Sequence, residues 1–346
     1  VGMRDVAKKA GVSLSTVSLV VNGNGYVSDD MRERVRKAMQ ALNYVPNELA
    51  RNLYHDCTNL VGVIVPTIRH PFFATFTAHL QHALAAQGLR TMLCSTADEA
   101  DGEIQYVDML RRHMMDGIIM AAHTEHPADY WTSIHRPIVA FDRTLGEGVP
   151  VVRSDHEQGG RLIARQLIDS GARHVVLVGG PRSQFAEGTT FPTIRYHLTV
   201  ERLLAEAGIA CDYVEAGTVA DIAAHAATAC AIFERYPDVD AIVGSDVVAS
   251  VALQEASRRG IEMPADLQVI AYDGTLMAET AGKRLTAIRQ DFPAIAAALA
   301  ARMDSQIAAD GGHASPAKND SASDVDTQPT PEEVIPVTLI PGETTR

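Results

Sequence analysis

The 346-residue chain has no run of eighteen or more apolar residues, which excludes a membrane-spanning helix. It has only four cysteines, Cys57, Cys94, Cys211 and Cys230, far apart and without a C-x-x-C pair. A disulfide framework and a structural zinc site are therefore not expected; reduced, buried thiols are. There is no G-x-S-x-G elbow, no Walker A loop and no G-x-G-x-x-G opening the first strand–helix unit. The H-x-x-H pairs His79/His82 and His123/His126 lack acidic or cysteine companions at a convincing spacing and read as surface histidines. Hence neither an enzyme, nor a cofactor, nor a bound metal is expected. No leucine heptad closes the chain, so no coiled-coil tail is indicated. No secretion leader opens it either, and the expectation is a cytoplasmic protein.

Positive charge is also scarce overall: the formal net charge is −13. Its distribution is uneven. Residues 1–60 carry 8 Lys+Arg against 6 Asp+Glu, whereas the remainder carries 22 against 37. The acidity lies outside the N-terminal segment and opposes non-specific adhesion to nucleic acid there, leaving Lys8, Lys9, Arg32, Arg34, Arg36 and Lys37 as candidate phosphate contacts.

That N-terminal segment holds the strongest local signal. In the stretch from Arg4 to Ser18, Asp5 is suited to cap a first helix, Val6, Ala7 and Ala10 share one face, and Gly11 tolerates the left-handed turn that ends it. Ser13 then caps a second helix that turns Val17, Val20 and Val21 inward and Leu14, Ser15, Ser18 and Leu19 outward. This is a helix-turn-helix, whose second helix enters a DNA major groove.

Beyond the headpiece, Leu60–Pro66, Arg90–Cys94, Gly117–Met120, Pro137–Phe141, His174–Val178, Ala241–Gly244 and Gln268–Tyr272 read as short buried strands. Between them, helical periodicity runs over Phe73–Gln87, Ile104–Met115, Gln158–Ser170, Thr193–Ala207, Ile222–Tyr236 and Val248–Arg259. Such alternation implies parallel sheets covered by helices on both faces, and the length implies two of them. Ligands then bind beyond the carboxyl ends of the strands. Asp310–Glu333 is rich in Gly, Ser, Pro and Asp and reads as a disordered insertion before a last strand over Val334–Ile340.

The N-terminal motif, with Val27-Ser28, Leu42-Asn43-Tyr44 and Pro46-Asn47-Glu48-Leu49-Ala50-Arg51-Asn52-Leu53, resembles the headpiece of the LacI/GalR family of repressors, and the likeness resumes at intervals to the C-terminus. The resemblance implies an all-α headpiece over 1–45, a hinge helix and linker over 46–58, and a two-lobed, periplasmic-binding-protein-like α/β body with parallel sheets over 59–346. It implies that Ser13, Leu14, Ser15, Thr16, Ser18, Leu19 and Asn22 meet DNA. Leu14, Ser15 and Leu19 would choose sequence, and Thr16, Ser18 and Asn22 would hold phosphates. Many relatives carry Arg where Leu19 stands; Leu offers only apolar contact, for example to a thymine methyl. Asn47, Ala50 and Leu53 belong to the hinge, with Leu53 the implied wedge into a minor-groove step; packing of a linker against the body is the alternative for Leu53.

The resemblance also places a small-molecule effector between the lobes. Arg195 is implied as a ligand for sugar hydroxyls or a carboxylate, and Asp273 as an acceptor; Asp142, Ser245 and Gln290 are further candidates, with a capping or inter-strand role as the alternative for each. Leu198 and Thr199 depart from the usual Gly and aromatic, which bears on local helix packing. Asp246 reads as a helix-start residue. His70-Pro71-Phe72-Phe73 resembles an Asn-Pro-Phe-Phe segment, with Phe72 or Phe73 suited to stack on a sugar face. Ala271-Tyr272-Asp273-Gly274-Thr275 resembles sucrose- and fructose-responsive members. The expected protein is a homodimeric repressor of carbohydrate-utilisation genes on a pseudo-palindromic double-stranded operator. A solute-binding protein and a sugar-modifying α/β enzyme are the alternatives.

Overall fold

The computed structural model describes residues 1–23, 25–46, 57–96, 102–122, 126–127, 129–185, 194–311 and 332–346, and the chain divides into two compact units, Val1–Thr58 and Asn59–Arg346.

Among the described residues, the first unit packs three helices, α1 (Met3–Ala10), α2 (Leu14–Asn22) and α3 (Asp29–Ala41), around Val6, Ala7, Ala10, Val17, Val35 and Ala38. Gly11 ends α1 at φ 65°, the left-handed conformation that a β-carbon disfavours. Ser13 caps α2 by accepting from Thr16 N at 3.0 Å. Two expectations shift. Asp5 is not the cap itself; it lies one turn inside α1 and accepts from Gly2 N at 2.9 Å. Arg34 is a structural residue more than a phosphate contact, because its guanidinium donates to the carbonyls of Ala10 (2.7 Å) and Gly11 (3.0 Å), groups that the end of α1 leaves without helical donors.

The second unit holds two six-stranded sheets. In the first lobe, β1 (Leu60–Val65), β2 (Arg90–Ser95), β3 (Gly117–Met120), β4 (Ile138–Phe141), β5 (Val151–Ser154) and β11 (Glu332–Ile335) pair in the order β11-β5-β4-β3-β1-β2, all parallel. Val61, Val63 and Val65 face one covering layer, made by α4 (Pro71–Ala86) and α11 (Phe292–Ala309), with Phe76, Leu80, Leu299 and Met303. Ile64 faces the other, built on α5 (Ile104–Arg111), Trp131 and Ile134. Burial of both faces explains why these strands are continuous apolar runs.

In the second lobe β6 (His174–Gly179), β7 (Ala210–Glu215), β8 (Ala241–Ser245), β9 (Gln268–Asp273), β10 (Thr286–Gln290) and β12 (Val337–Ile340) pair in the order β12-β10-β9-β8-β6-β7. Its faces are covered by α6 (His156–Asp169) with α7 (Ile194–Glu206), and by α8 (Ile222–Arg235) with α9 (Asp246–Arg259); a short α10 (Leu276–Thr280) follows β9. The doubt raised by Leu198 and Thr199 is resolved by size. A β-carbon on Gly160 would lie 2.7 Å from Thr199 Cβ, so α6 and α7 approach closely because one partner has no side chain.

Among the described residues the chain passes between the lobes three times: Ser154–His156, Gln290–Phe292 and Ile335–Val337. The third passage corrects the expected single strand over 334–340. Pro336 divides it into β11 and β12, one in each sheet. Because β11 runs parallel in the first sheet toward the carboxyl ends of its neighbours, a chain continuing in that direction enters the second sheet from its carboxyl ends, and β12 is antiparallel. The segment 310–333 is also corrected at its edges. Asp310 pairs with Arg136 at 2.6 Å, and Glu332 and Glu333 lie in β11, paired with Arg153 and Arg302; residues 312–331 lie outside the described residues. Helix α5 ends at Arg111, short of Met115, and His113 takes φ 56° in the turn after it.

Candidate functional site

On the first unit, α2 exposes Leu14, Ser15 and Leu19, while Thr16, Ser18 and Asn22 are half-buried beside them. Ser13 Oγ lies 2.7 Å from Ser15 Oγ and 2.8 Å from Thr16 Oγ1, and Asn22 Nδ2 donates to Ser18 Oγ at 3.2 Å. The Ser15 and Ser18 hydroxyls border a hollow of about 770 Å3 that is also lined by Gly2, Met3, Arg4, Asp5 and Leu14. The face is polar, small-featured and centred on two apolar side chains. Arg36 and Lys37 are tied to Glu33 at 3.1 and 3.8 Å, which leaves Lys8, Lys9 and Arg32 as the better-placed cations of those named from sequence. Asn47, Ala50 and Leu53 lie outside the described residues.

In the second unit, three of the polar candidates, Asp142, Asp273 and Gln290, meet at the passages between the lobes, whereas Ser245 and Arg195 have other partners. Asp142 follows β4 and Asp273 ends β9, and both take positive φ, 50° and 119°. Strained backbone at two carboxylates on opposite lobes marks a place where geometry is held by its surroundings. Asp142 Oδ1 accepts from Ser154 N (3.1 Å) and Oδ2 meets His156 Nε2 (3.0 Å). His156 Nδ1 lies 2.7 Å from Tyr272 Oη. Gln290 Nε2 donates to Asp273 Oδ1 (2.9 Å), and Ser154 Oγ donates to Gln290 Oε1 (2.6 Å). The result is a buried polar ring that joins β4, β5 and β10 to β9.

Burial is the main cause that pushes the Asp273 carboxyl well above the usual carboxylate range; the nearby Asp246 and Asp142 add to it, and the Gln290 amide opposes it. Asp246, at the start of α9, is a structural acid as expected: it accepts from Gly274 N (3.1 Å), Thr275 N (2.6 Å) and Thr275 Oγ1 (2.6 Å). Ser245 caps α9, accepting from Val248 N at 3.4 Å. Arg195 opens α7 with its side chain 44% exposed and pairs with Glu157 at 3.3 Å.

Phe72 and Phe73 are 6% and 4% exposed and belong to the aromatic core of the first lobe. Phe72 packs on Phe76, Phe141 and Phe292, with centroids at 6.0, 5.9 and 5.4 Å. Neither ring presents an open face; the edge of Phe73 meets His70 at 6.0 Å. His70, in turn, faces His225 of the second lobe at 6.3 Å. Burial, and secondarily the proximity of His225, lowers the His70 pKa to about 4, and burial lowers that of His225 as well, so both rings are neutral at pH 7.

Sequence reasoning missed Ser154, His156, Glu157 and Tyr272 as members of this cluster. It began α6 at Gln158 and read no strand at Val151–Ser154, so the tetrapeptide fell in a gap. The only available signal was its position just before a helix. His126 also departs from expectation: it is not a surface residue, since it contacts the buried Glu103 carboxylate and stacks on Tyr130 at 4.0 Å. Among the described residues no group of three or more His, Cys, Asp or Glu could hold a metal ion, and no helix is long and apolar enough to cross a membrane.

Residues 2–47 match the family described as bacterial regulatory proteins, lacI family, and residues 58–287 match that described as periplasmic binding proteins and sugar binding domain of LacI family. The chain is 32% identical over 342 residues to the sucrose operon repressor of Streptococcus mutans, spanning 99% of this chain and 98% of that one. It is 35% identical over 274 residues to the ribose operon repressor of Bacillus subtilis, spanning 78% and 81%. In fold it is similar to the Lac repressor dimer bound to operator and the anti-inducer ONPF, with a TM-score of 0.79 at 21% identity over 100% of this chain and 99% of that one.

Proposed function

Because the chain belongs to the LacI family of bacterial regulatory proteins, we propose that it is a sequence-specific, DNA-binding transcriptional repressor whose hold on its operator is set by a small sugar bound between two α/β lobes. The observation that carries this reading is the conjunction, in one chain, of an exposed recognition helix and a two-lobed body whose interlobe passages gather Asp142, Asp273 and Gln290 in one buried polar ring. The names of the relatives, sucrose and ribose operon repressors, support a carbohydrate effector.

In this reading the protein acts in the cytoplasm as a homodimer on a pseudo-palindromic duplex. Leu14, Ser15 and Leu19 contact base edges; Ser13, Thr16, Ser18 and Asn22 fix the register on phosphates; Asn47, Ala50 and Leu53 reach the minor groove. Arg195 and Asp273 bond sugar hydroxyls, with Asp142, Ser245 and Gln290 alongside. The sugar changes the angle between the lobes, and the coupling equals its difference in affinity for the two arrangements.

A thermal-shift panel of sucrose, D-ribose, D-fructose and other sugars tests the effector class. A specific sugar at a hundred times its Kd stabilises the fold by about 2.7 kcal/mol, a rise of several degrees in melting temperature. The same shift with every sugar contradicts a specific site.

A further inference from the structure

Four consecutive residues at the first passage between the lobes organise much of the polar cluster. Ser154 gives its N–H to Asp142 and its hydroxyl to Gln290. Asp155 caps α6 by accepting from Gln158 N at 2.8 Å. His156 joins Asp142 to Tyr272. Glu157 pairs with Arg195. Tyr272 is the residue before Asp273, and its ring stacks on Tyr196, the neighbour of Arg195, with centroids 3.9 Å apart at 11°.

We infer that His156 is a positioning residue for effector binding: one fully buried imidazole, held between a carboxylate of the first lobe and a tyrosine of the second, fixes Asp142 directly and Asp273 and Arg195 through their immediate neighbours. The inference rests on the effector reading of the cleft and deepens it. The chemistry needs an imidazole. Asp142 Oδ2 only accepts, so the proton sits on Nε2; Nδ1 then carries a lone pair and accepts from the Tyr272 hydroxyl. Removal of the ring leaves a carboxylate oxygen and a buried hydroxyl without partners, and both are then free to turn.

The surroundings are built for this contact. Gly159, one turn into α6, leaves room for the tyrosine, since a β-carbon there would lie 2.7 Å from Tyr272 Oη. The hydrogen bonds of His156 span 14 residues to Asp142 and 116 to Tyr272, so this ring holds together parts of the chain that local structure does not. Glu157, the residue after His156, pairs with the Arg195 guanidinium at 3.3 Å, as the counter-ion an effector oxygen replaces.

Two measurements on the full-length protein test the assignment. In 15N spectra of the histidine rings at pH 7.5, wild-type His156 is expected to show a proton on Nε2 and none on Nδ1, with Nδ1 displaced by an accepted hydrogen bond. Tyr272→Phe removes that displacement and leaves the tautomer unchanged. In parallel, sucrose, D-ribose and D-fructose are titrated calorimetrically into wild type, His156→Leu, His156→Gln and Tyr272→Phe. The sugar that binds wild type is expected to bind the Leu variant at least ~30-fold more weakly and the Phe variant about 5- to 10-fold more weakly. Gln offers both an acceptor and an N–H donor and restores affinity to within about 5-fold of wild type, a rescue that simple cavity filling by Leu cannot give. Affinities that are equal in all four proteins, or a Gln variant no better than Leu, overturn the assignment. Should none of the three sugars bind wild type, the carbohydrate reading fails on its own, and the spectra decide the role of His156: averaged tautomers, or a spectrum unchanged by Tyr272→Phe, overturn it.

Discussion

Arg195→Ala is expected to weaken effector binding about 10- to 100-fold while the melting temperature of the body stays within about 1 °C of wild type. The two halves of the expectation come from the same geometry. The Arg195 side chain is 44% exposed and its ion pair with Glu157, itself 43% exposed, spans 3.3 Å; pairs of this kind contribute about 0–1 kcal/mol to folding. A sugar hydroxyl or carboxylate held by the guanidinium within a closing cleft contributes about 1.5–3 kcal/mol, and that is lost with the side chain. Lysine would not substitute well, since a point charge does not present the planar fork that neighbouring oxygens require. Calorimetric titration with the sugar selected by the thermal-shift panel, beside a melting curve of the same sample, reads both quantities. Unchanged affinity removes Arg195 from the site.

Asp246→Ala has the opposite signature. Asp246 is fully buried and accepts three hydrogen bonds from Gly274 and Thr275, which hold the turn immediately after Asp273. Its loss leaves two backbone N–H groups and a hydroxyl without acceptors, at a cost of about 3–5 kcal/mol, and the body should melt of the order of 10 °C lower. The same carboxyl gives the stability a pH dependence of definite sign. Burial pushes its pKa up to about 6, against the pull of its three donors and of Arg289. A group whose folded pKa lies above its unfolded value contributes its full stabilisation below the unfolded value, near 4, and loses it as pH rises through the folded one. Asp273, shifted in the same direction, adds to the slope. Urea titrations between pH 4 and 7 should therefore show this contribution declining with pH in wild type and a flatter profile in Asp246→Asn. A steeper decline in that variant contradicts the assignment.

The headpiece was legible from sequence because its determinants are local. Gly11 turns the chain, Ser13 caps three residues ahead, and the inward and outward faces of α2 follow from helical period alone. The alternation of strands and helices in the body was legible for the same reason, since doubly covered strands are continuous apolar runs. Three strands escaped. Ala210–Glu215 is an edge strand, largely exposed and carrying Asp212 and Glu215, so it is no apolar run. Val151–Ser154 and Thr286–Gln290 are short and interrupted by Arg153 and Arg289, and the ion-pair partner of Arg153 is Glu332, 179 residues away in the chain. The split of the last apolar run at Pro336 is equally non-local, because both halves look like one strand until two sheets claim them. At the site, Asp142 and Asp273 could be named from their places at or just beyond strand ends, and Gln290 from the family resemblance alone. The Asp142–His156–Tyr272 bridge could not, because neither spacing nor residue type signals a contact across 116 residues. For Phe72 and Phe73 the sequence gives an aromatic pair near the cleft but not how much of each ring the core takes up.

The most direct test of the account is selection of duplexes from random DNA by the purified full-length protein, followed by anisotropy titration of the winner against random competitor at about 0.15 M salt. The account predicts a sequence with approximate two-fold symmetry, bound at least about 1,000-fold more tightly than competitor, with that preference altered by the sugar that stabilises the fold. No preference for any duplex, with or without sugar, would contradict it.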